Sequence, residues 1–155
     1  MFEAIHIIGT GRAGGAIRER LRERGLHVTD GRVPDPDADL VLLAVPDSVI
    51  GEVAAAVDIG PWVAHVSGAT RLDALGPHGR RFSVHPLQTL VRERVGDQLD
   101  GAWAAISGES PEATERGRWL ATTLGLRPFE VDLDDLQWLS CGEGDGGSGL
   151  QFSLS

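Results

Sequence analysis

Glycine recurs at positions 9, 11 and 14 of the chain, directly after the apolar run Ala4–Ile8 and at the start of a stretch with helical periodicity over 12–24. Glycine allows a tight turn and a close approach of a ligand to the backbone, because it has no Cβ. A helix N-terminus adds unpaired N–H groups and a partial positive charge. The pattern predicts a loop for the pyrophosphate of NAD(P), formed by Gly9, Thr10, Gly11, Arg12, Ala13 and Gly14. The alternative is a tight turn whose glycines serve packing alone.

One acid and two arginines could determine which cofactor such a loop accepts. An acidic residue near the end of the second strand binds the ribose 2′-hydroxyl of NAD, whereas an arginine there favours the 2′-phosphate of NADP. Asp30 follows Gly9 by 21 positions (30 − 9), close to the usual spacing of about 20. Arg32 and Arg12 could together neutralise a 2′-phosphate, or they could be solvated surface charges. Both cofactors remain open, with a slight preference for NADP.

Three further stretches complete a pattern that resembles a known family. They are Asp-Leu-Val-Leu-Leu-Ala-Val-Pro-Asp at 39–47, His-Val-Ser-Gly-Ala at 65–69 and Val-His-Pro-Leu-Gln at 84–88. With the glycine loop, they resemble an uncharacterised family of Rossmann-like oxidoreductases that carry a C-terminal helical domain of unknown function. That family is similar to pyrroline-5-carboxylate reductase, prephenate dehydrogenase and the 3-hydroxyacid dehydrogenases. The resemblance covers roughly residues 4–135.

The resemblance implies roles for residues at the ends of three strands. The resemblance implies that the nicotinamide ribose lies beside Val45, Pro46 and Asp47. It implies that the nicotinamide itself lies near Ser67 and Gly68. His85 matches a histidine that accepts a hydrogen bond from the substrate hydroxyl. The chemistry is consistent with this, because hydride transfer from an alcohol carbon needs a base for the hydroxyl proton, and Ser67 could orient that hydroxyl. The implied substrate is a small hydroxy or imino acid.

Each of these residues also has an interpretation without function. His85 precedes a proline and could end a strand with its ring bonded to backbone, and Ser67 and Gly68 could serve a turn only. His65 lies inside an apolar strand, where a histidine is more often a satisfied core residue. We expect no metal site, because no histidine pair and no Cys/His cluster has ligand spacing.

The elements that must position these residues alternate between apolar strands and amphipathic helices. This order predicts a single three-layer α/β domain of Rossmann type, doubly wound, with a mainly parallel sheet. Strands are predicted at 4–8, 26–29, 40–45, 62–66, 81–84, 103–106 and 129–131. Helices are predicted at 12–24, after Pro46 with Asp47 or Ser48 as its cap, at 70–75 from a capping box, and from Ser110-Pro111 onward. Prolines 34 and 36 predict a turn where many such folds have a crossover helix.

Composition narrows the class of protein and its partners. The 155 residues suffice for one well-buried domain, and the net charge of −9 argues against a nucleic-acid partner. We expect a cytoplasmic protein, because Cys141 is alone, no signal peptide is recognisable, and no apolar run is long enough for a membrane. The expected partners are therefore a dinucleotide and a small molecule.

The last residues depart from the family pattern. We expect residues 1–135 to form the NAD(P)-binding domain and 136–155 an irregular tail rich in glycine and serine, truncated or frameshifted, in place of the helical domain. Such a loss would impair turnover and weaken a homodimer. The leading hypothesis is the cofactor domain of an NAD(P)-dependent oxidoreductase. Its alternatives are a non-catalytic nucleotide-binding or sensor module, and a truncated product without activity.

Overall fold

Seven strands form one sheet in the computed structural model, which describes residues 1–9, 11–68, 70–87 and 99–130. Their spatial order is β2-β1-β3-β4-β5-β6-β7. The strands are β1 (Ala4–Ile8), β2 (His27–Asp30), β3 (Leu40–Leu43), β4 (Trp62–His65), β5 (Arg81–Pro86), β6 (Trp103–Gly108) and β7 (Arg127–Glu130).

The first five strands are mutually parallel, whereas β6 runs antiparallel to β5, and β7 runs parallel to β6. The carboxyl ends of β1 to β5 therefore meet at one edge of the sheet, which we call the carboxyl edge. The chain passes from β1 outward to β2 and then back to β3 on the other side of β1, so the order reverses beside β1. In open α/β sheets, ligands bind in the crevice at such a reversal.

Helices cover both faces of the sheet, so the domain has three layers as predicted. The longer helices α1 (Arg12–Glu23) and α3 (Pro111–Leu124) share one core with the sheet, and the short helix α2 (Ile50–Ala55) packs on the opposite face with a 3₁₀ turn at Leu72–Leu75. The helix predicted from Ser110-Pro111 onward is α3, and its buried residues are Ala113, Gly117, Leu120, Ala121 and Leu124. The Rossmann-type fold class is thereby confirmed.

The connection from β2 to β3 contains no helix, as the prolines predict. It crosses residues 31–39 and is fastened at its end, where the Asp39 carboxylate accepts hydrogen bonds from the backbone N–H groups of Glu3 and Ala4 at 3.0 and 3.2 Å. The buried ring of His6 lies beneath it, with Nδ1 2.7 Å from the Thr29 hydroxyl and Nε2 2.9 Å from the Gly31 carbonyl. A short, tied loop thus replaces the crossover helix.

Two predicted helix caps are wrong, whereas a third is confirmed. Residues Asp47–Val49 form a 3₁₀ turn before α2, with no side-chain cap on either element. The turn at Leu72–Leu75 also lacks a side-chain cap, because the Thr70 hydroxyl lies 2.9 Å from the Ser67 hydroxyl instead. At α3 the Ser110 hydroxyl accepts from the Ala113 N–H at 3.1 Å, with Pro111 at the first helical position. Within the described part of the chain, no helix is long and apolar enough to cross a membrane.

Candidate functional site

The glycine loop lies where β1 ends and α1 begins, as its spacing predicts. Gly9 has a φ of +106°, a left-handed conformation that favours glycine, and a Cβ there would overlap the Ala44 carbonyl at the end of β3. A Cβ on Gly14 would overlap the Gly9 carbonyl. These two glycines therefore let α1 approach the sheet closely, which is the packing role that the alternative interpretation assigns to them.

Gly11 differs from both of its neighbours in the motif. A Cβ built there meets no heavy atom of the described residues within 4 Å, so the space that they leave beside this residue is open. Its backbone has φ −72° and ψ −150°, and its carbonyl accepts the first helical hydrogen bond, from Gly15 N–H at 2.9 Å. Packing against the described residues does not explain a glycine at this position. Thr10, the residue between Gly9 and Gly11, lies outside the described residues.

The start of α1 has the electrostatics of an anion site. No side chain caps its first N–H groups, and its first turn contains no acidic residue. Arg12, the first residue of the helix, is exposed. The unpaired amides of the first turn carry a partial positive charge. The loop therefore presents an uncapped positive helix end beside open space.

The end of β3 forms the other wall of this crevice. The Ala44 N–H donates to the Ile8 carbonyl at 2.8 Å, so β3 follows β1 up to the loop. Val45 then packs beside Gly9, and Pro46 and Asp47 are exposed at the mouth. The structure thus brings the Val45–Asp47 segment, singled out by the resemblance, next to the glycine loop.

The end of β2 carries the residues predicted to distinguish the two cofactors. The Arg18 guanidinium donates to the Asp30 carboxylate at 2.7 Å, and this ion pair lowers the pKa of Asp30 below its usual value. Arg32, two residues on, is exposed and has no protein partner among the described residues. Asp30 therefore remains ionised while a neighbouring arginine offsets its charge. The sequence alone does not indicate the pairing with Arg18, which depends on how α1 crosses β2.

His85 lies two residues beyond the last β4–β5 pair, at the carboxyl edge, and only 2% of it is exposed. Its Nδ1 lies 3.2 Å from the Val66 carbonyl, and its Nε2 is buried without a protein partner. Burial lowers the pKa of His85, partly opposed by the Val66 carbonyl and the Asp47 carboxylate. Because a carbonyl only accepts, Nδ1 carries the proton and Nε2 presents a lone pair. The ring is thus bonded to backbone through Nδ1, and its Nε2 is a buried acceptor with no hydrogen-bond partner in the part of the chain that the structure describes.

His65, at the end of β4, faces the same side of the sheet but is used internally. Its Nδ1 accepts a hydrogen bond from the Ser67 backbone N–H at 3.1 Å, and burial lowers the pKa of its ring to about 4. His65 is thus a core histidine, as its place in an apolar strand predicts, but only its Nδ1 is satisfied, because its Nε2 is buried with no hydrogen-bond partner among the described residues. The Ser67 hydroxyl lies 2.9 Å from that of Thr70, a contact with no recognisable sequence signal.

The carboxyl edge therefore brings together most of the predicted site residues. The glycine loop and Val45–Asp47 lie at β1 and β3, and Ser67, Gly68 and His85 lie at β4 and β5. Gly68 contacts the His85 ring directly, since a Cβ on Gly68 would be 2.5 Å from its Nε2. Among the described residues, no three His, Cys, Asp or Glu side chains form a group that could hold a metal ion.

Solved structures share this fold. The chain superposes on a candidate NADP oxidoreductase from Bacteroides fragilis with a TM-score of 0.75 and 16% identity, covering 93% of this chain and 66% of that one. Prephenate dehydrogenase from Aquifex aeolicus, solved with hydroxyphenyl propionate and NAD⁺, gives 0.73 and 16%, covering 92% and 64%. An NADH-preferring ketol-acid reductoisomerase from an uncultured archaeon gives 0.67 and 15%, covering 91% and 55%.

The first of these neighbours are longer than the chain, which spans 66% and 64% of their lengths. No protein-family model matches the sequence, and no curated protein is similar to it at a significant level. At 14–18% identity, these likenesses show the Rossmann-like fold.

Proposed function

We propose that the chain binds a nicotinamide dinucleotide, with its pyrophosphate on the glycine loop. The observation that carries the proposal is the contrast within the loop. Gly9 and Gly14 are required by close backbone packing, but Gly11 faces open space beside an uncapped helix end. An anion bound there would accept hydrogen bonds from the amides of the first turn. The residues assigned to the pyrophosphate are Gly9, Thr10, Gly11, Arg12, Ala13 and Gly14.

For the adenosine ribose we propose a preference for NADP over NAD. Asp30 would repel a 2′-phosphate, but its carboxylate is already paired with Arg18 at 2.7 Å. Arg12 and Arg32 are exposed, with no partner in the part of the chain that the structure describes. Two such guanidinium groups, one at the start of α1 and one just beyond β2, suit a phosphate better than a hydroxyl.

For the other half of the cofactor we propose a position along the carboxyl edge. Val45, Pro46 and Asp47 would lie beside the nicotinamide ribose, and Ser67 and Gly68 near the nicotinamide, which supplies hydride transfer when bound. His85, with Nε2 as an acceptor, would take the proton of a substrate hydroxyl, and Ser67 would orient that hydroxyl. The substrate class would be a small hydroxy or imino acid.

The proposal extends to the organisation of the protein. Residues 1–135 would form the cofactor domain and 136–155 a tail, both boundaries lying outside the described residues. The remaining third of the solved relatives' length would correspond to a region that closes the substrate site and pairs two subunits. The cofactor domain by itself would bind cofactor but turn over poorly, and the protein would be cytoplasmic. The alternative remains a non-catalytic nucleotide-binding or sensor module, and hydride-transfer assays with small hydroxy and imino acids distinguish the two.

The test is a pair of calorimetric titrations, with NADPH and with NADH, on the full chain and two variants. We expect micromolar or weaker binding of both, and in Arg32→Ala a loss of about tenfold in NADPH affinity with little change for NADH, because one charge-assisted contact to the 2′-phosphate disappears. Arg80→Ala removes the same charge at the opposite edge of the sheet and should change neither affinity.

Two results would contradict the proposal in different ways. Absence of binding to either cofactor at millimolar concentration would remove the function itself. An equal loss of both affinities in Arg32→Ala would leave the dinucleotide site but remove the preference for NADP.

A further inference from the structure

We propose that Gly68 and the Val66 carbonyl are positioning elements for His85, which together hold its ring in one orientation and one tautomer with Nε2 as the acceptor. In the proposed function Gly68 lies near the nicotinamide. The role inferred here is a different one, because it concerns the contact of Gly68 with the His85 ring. The consequence for ligands rests on the proposed function, whereas the positioning of the ring does not.

The first step of the argument concerns space. A Cβ on Gly68 would be 2.5 Å from both Cδ2 and Nε2 of His85, and 2.9 Å from Cε1. Real Cβ atoms do not approach other heavy atoms so closely. The φ angle of Gly68 lies outside the left-handed region, so its backbone conformation alone would accept another residue. Glycine is needed here because the imidazole occupies the place of a side chain.

The second step concerns the proton on the ring. The Val66 carbonyl, 3.2 Å from Nδ1, can only accept, so the bond requires a proton on Nδ1. Nε2 is then unprotonated, buried and without a protein partner. Burial is the largest influence on the pKa of His85 and lowers it, outweighing the Val66 carbonyl and the Asp47 carboxylate, which both raise it. The nearby His65 ring does not oppose burial, because a like charge also disfavours the protonated form.

The third step concerns the class of ligand. A neutral imidazole with a bare Nε2 accepts a hydrogen bond and cannot donate one at that atom. A buried acceptor left unpaired costs free energy that a suitable donor recovers. A ligand group that reached Nε2 would therefore be a hydroxyl or a protonated nitrogen, rather than a carbonyl or carboxylate oxygen.

The experiment uses the full chain labelled with ¹⁵N at histidine, with long-range ¹H–¹⁵N spectra that report the tautomer of each ring. In the wild type, His85 should show a protonated Nδ1 and an unprotonated Nε2 at neutral pH. In Gly68→Ala, the added methyl group should displace the ring, abolish the single tautomer and lower the Tm by about 5 °C. Gly79→Ala is the matched control, because a Cβ there meets nothing within 4 Å.

A second measurement keeps the proposal testable if Gly68→Ala folds poorly. In a His85→Ala background the clash is gone, so adding Gly68→Ala should cause no further fall in Tm. Equal destabilisation with and without the His85 ring would overturn the proposal, and so would an Nε2-protonated His85 or an unchanged tautomer in Gly68→Ala.

Cofactor titration of the same samples separates this inference from the proposed function. We expect His85→Ala to retain the wild-type affinity for NADPH, since the ring is assigned to the substrate. If no sample binds a dinucleotide but the tautomer results are as expected, the proposed function fails and the positioning of His85 stands.

Discussion

The carboxyl edge has two halves, the glycine loop beside β1 and β3 and the pair His65 and His85 on β4 and β5. In each half, residues of the same type have different surroundings. In the glycine loop, backbone atoms occupy the space that a Cβ would need at Gly9 and Gly14, whereas no described residue occupies that space at Gly11. In the histidine pair, both rings bond to backbone through Nδ1, His65 with the Ser67 amide and His85 with the Val66 carbonyl, and the Nε2 of each ring has no partner among the described residues. The unpartnered Nε2 of His85 is an acceptor, whereas His65, whose Nδ1 already accepts, carries its proton on Nε2 when neutral.

The halves differ in what they offer and in how they are built. The loop presents backbone amides with a positive potential, and it is formed by residues close together in sequence. His85 presents a neutral acceptor, and the environment of both histidines depends on how β4 aligns with β5. An anion and a hydrogen-bond donor would thus be recognised by different physical means on one edge. In the loop, substitutions at different glycines should affect either stability or ligand binding. In the histidine pair, the pH dependence of stability should show which ring contributes to the fold.

The largest expected effect tests the packed part of the loop. Gly14→Ala places a methyl group on the Gly9 carbonyl, and because backbone cannot move aside cheaply, we expect a loss of more than about 3 kcal/mol in the free energy of unfolding. Gly51→Ala is the control within α2, where a Cβ makes only an ordinary 3.6 Å contact. It should raise stability by up to about 1 kcal/mol, since alanine favours helix. Urea denaturation measures both, and similar stabilities would contradict the close packing of α1.

The next effect tests the histidine that builds the fold. The pKa of His65 is lowered to about 4 from 6.5 in the unfolded chain, so the unfolded state binds more protons between these values. Stability should therefore fall as the pH drops from 6.5 to 4 and stop falling from this cause below about 4. Replacing His65 by Gln should remove about 2–3 kcal/mol of the loss between pH 7 and 4.5.

Denaturation curves at the two pH values give this difference directly. His27→Gln, which alters an exposed histidine, should keep the pH dependence of the wild type. The same slope in His65→Gln as in the wild type would show that the acid sensitivity arises elsewhere.

The smallest effect on the fold tests the open part of the loop. Gly11→Ala adds a methyl group to open space at an ordinary φ of −72°, so stability should change by less than about 0.5 kcal/mol. The same methyl group would stand where a pyrophosphate approaches, and dinucleotide affinity should fall about tenfold or more in calorimetry. Unchanged affinity would mean that the ligand does not approach Gly11.

Local patterns in the sequence were sufficient to predict the fold and the loop. The glycine spacing, the buried stripe of α3 with its Ser110 cap, and the missing crossover helix all depend on residues near one another in the chain. Contacts between distant elements could not be predicted in this way. The pairing of Asp30 with Arg18, the seat of His85 on Gly68 and the reversed direction of β6 depend on strand alignment and helix placement.

The failed capping box has a different cause. Thr70-Arg71-Leu72-Asp73 has the right residue types for a capped helix start, but the Thr70 hydroxyl lies 2.9 Å from the hydroxyl of Ser67, three residues earlier. Here one local hydrogen bond replaces another, and residue types alone do not indicate which of the two forms.

The buried Arg20 has a consequence for how the domain is made. Its guanidinium lies near the rear of α1 and donates to the Asp100 carboxylate at 2.6 Å and to the last carbonyl of α3, on Leu124, at 3.1 Å. These acceptors follow Arg20 by 80 and 104 residues. During synthesis, a nascent chain that has emerged only as far as β5 contains the whole glycine motif and Glu23, which accepts from Arg20 Nε at 3.0 Å, but it lacks Asp100 and Leu124. The glycine loop is therefore among the first residues translated, whereas two acceptors for the arginine on the helix behind it are translated late.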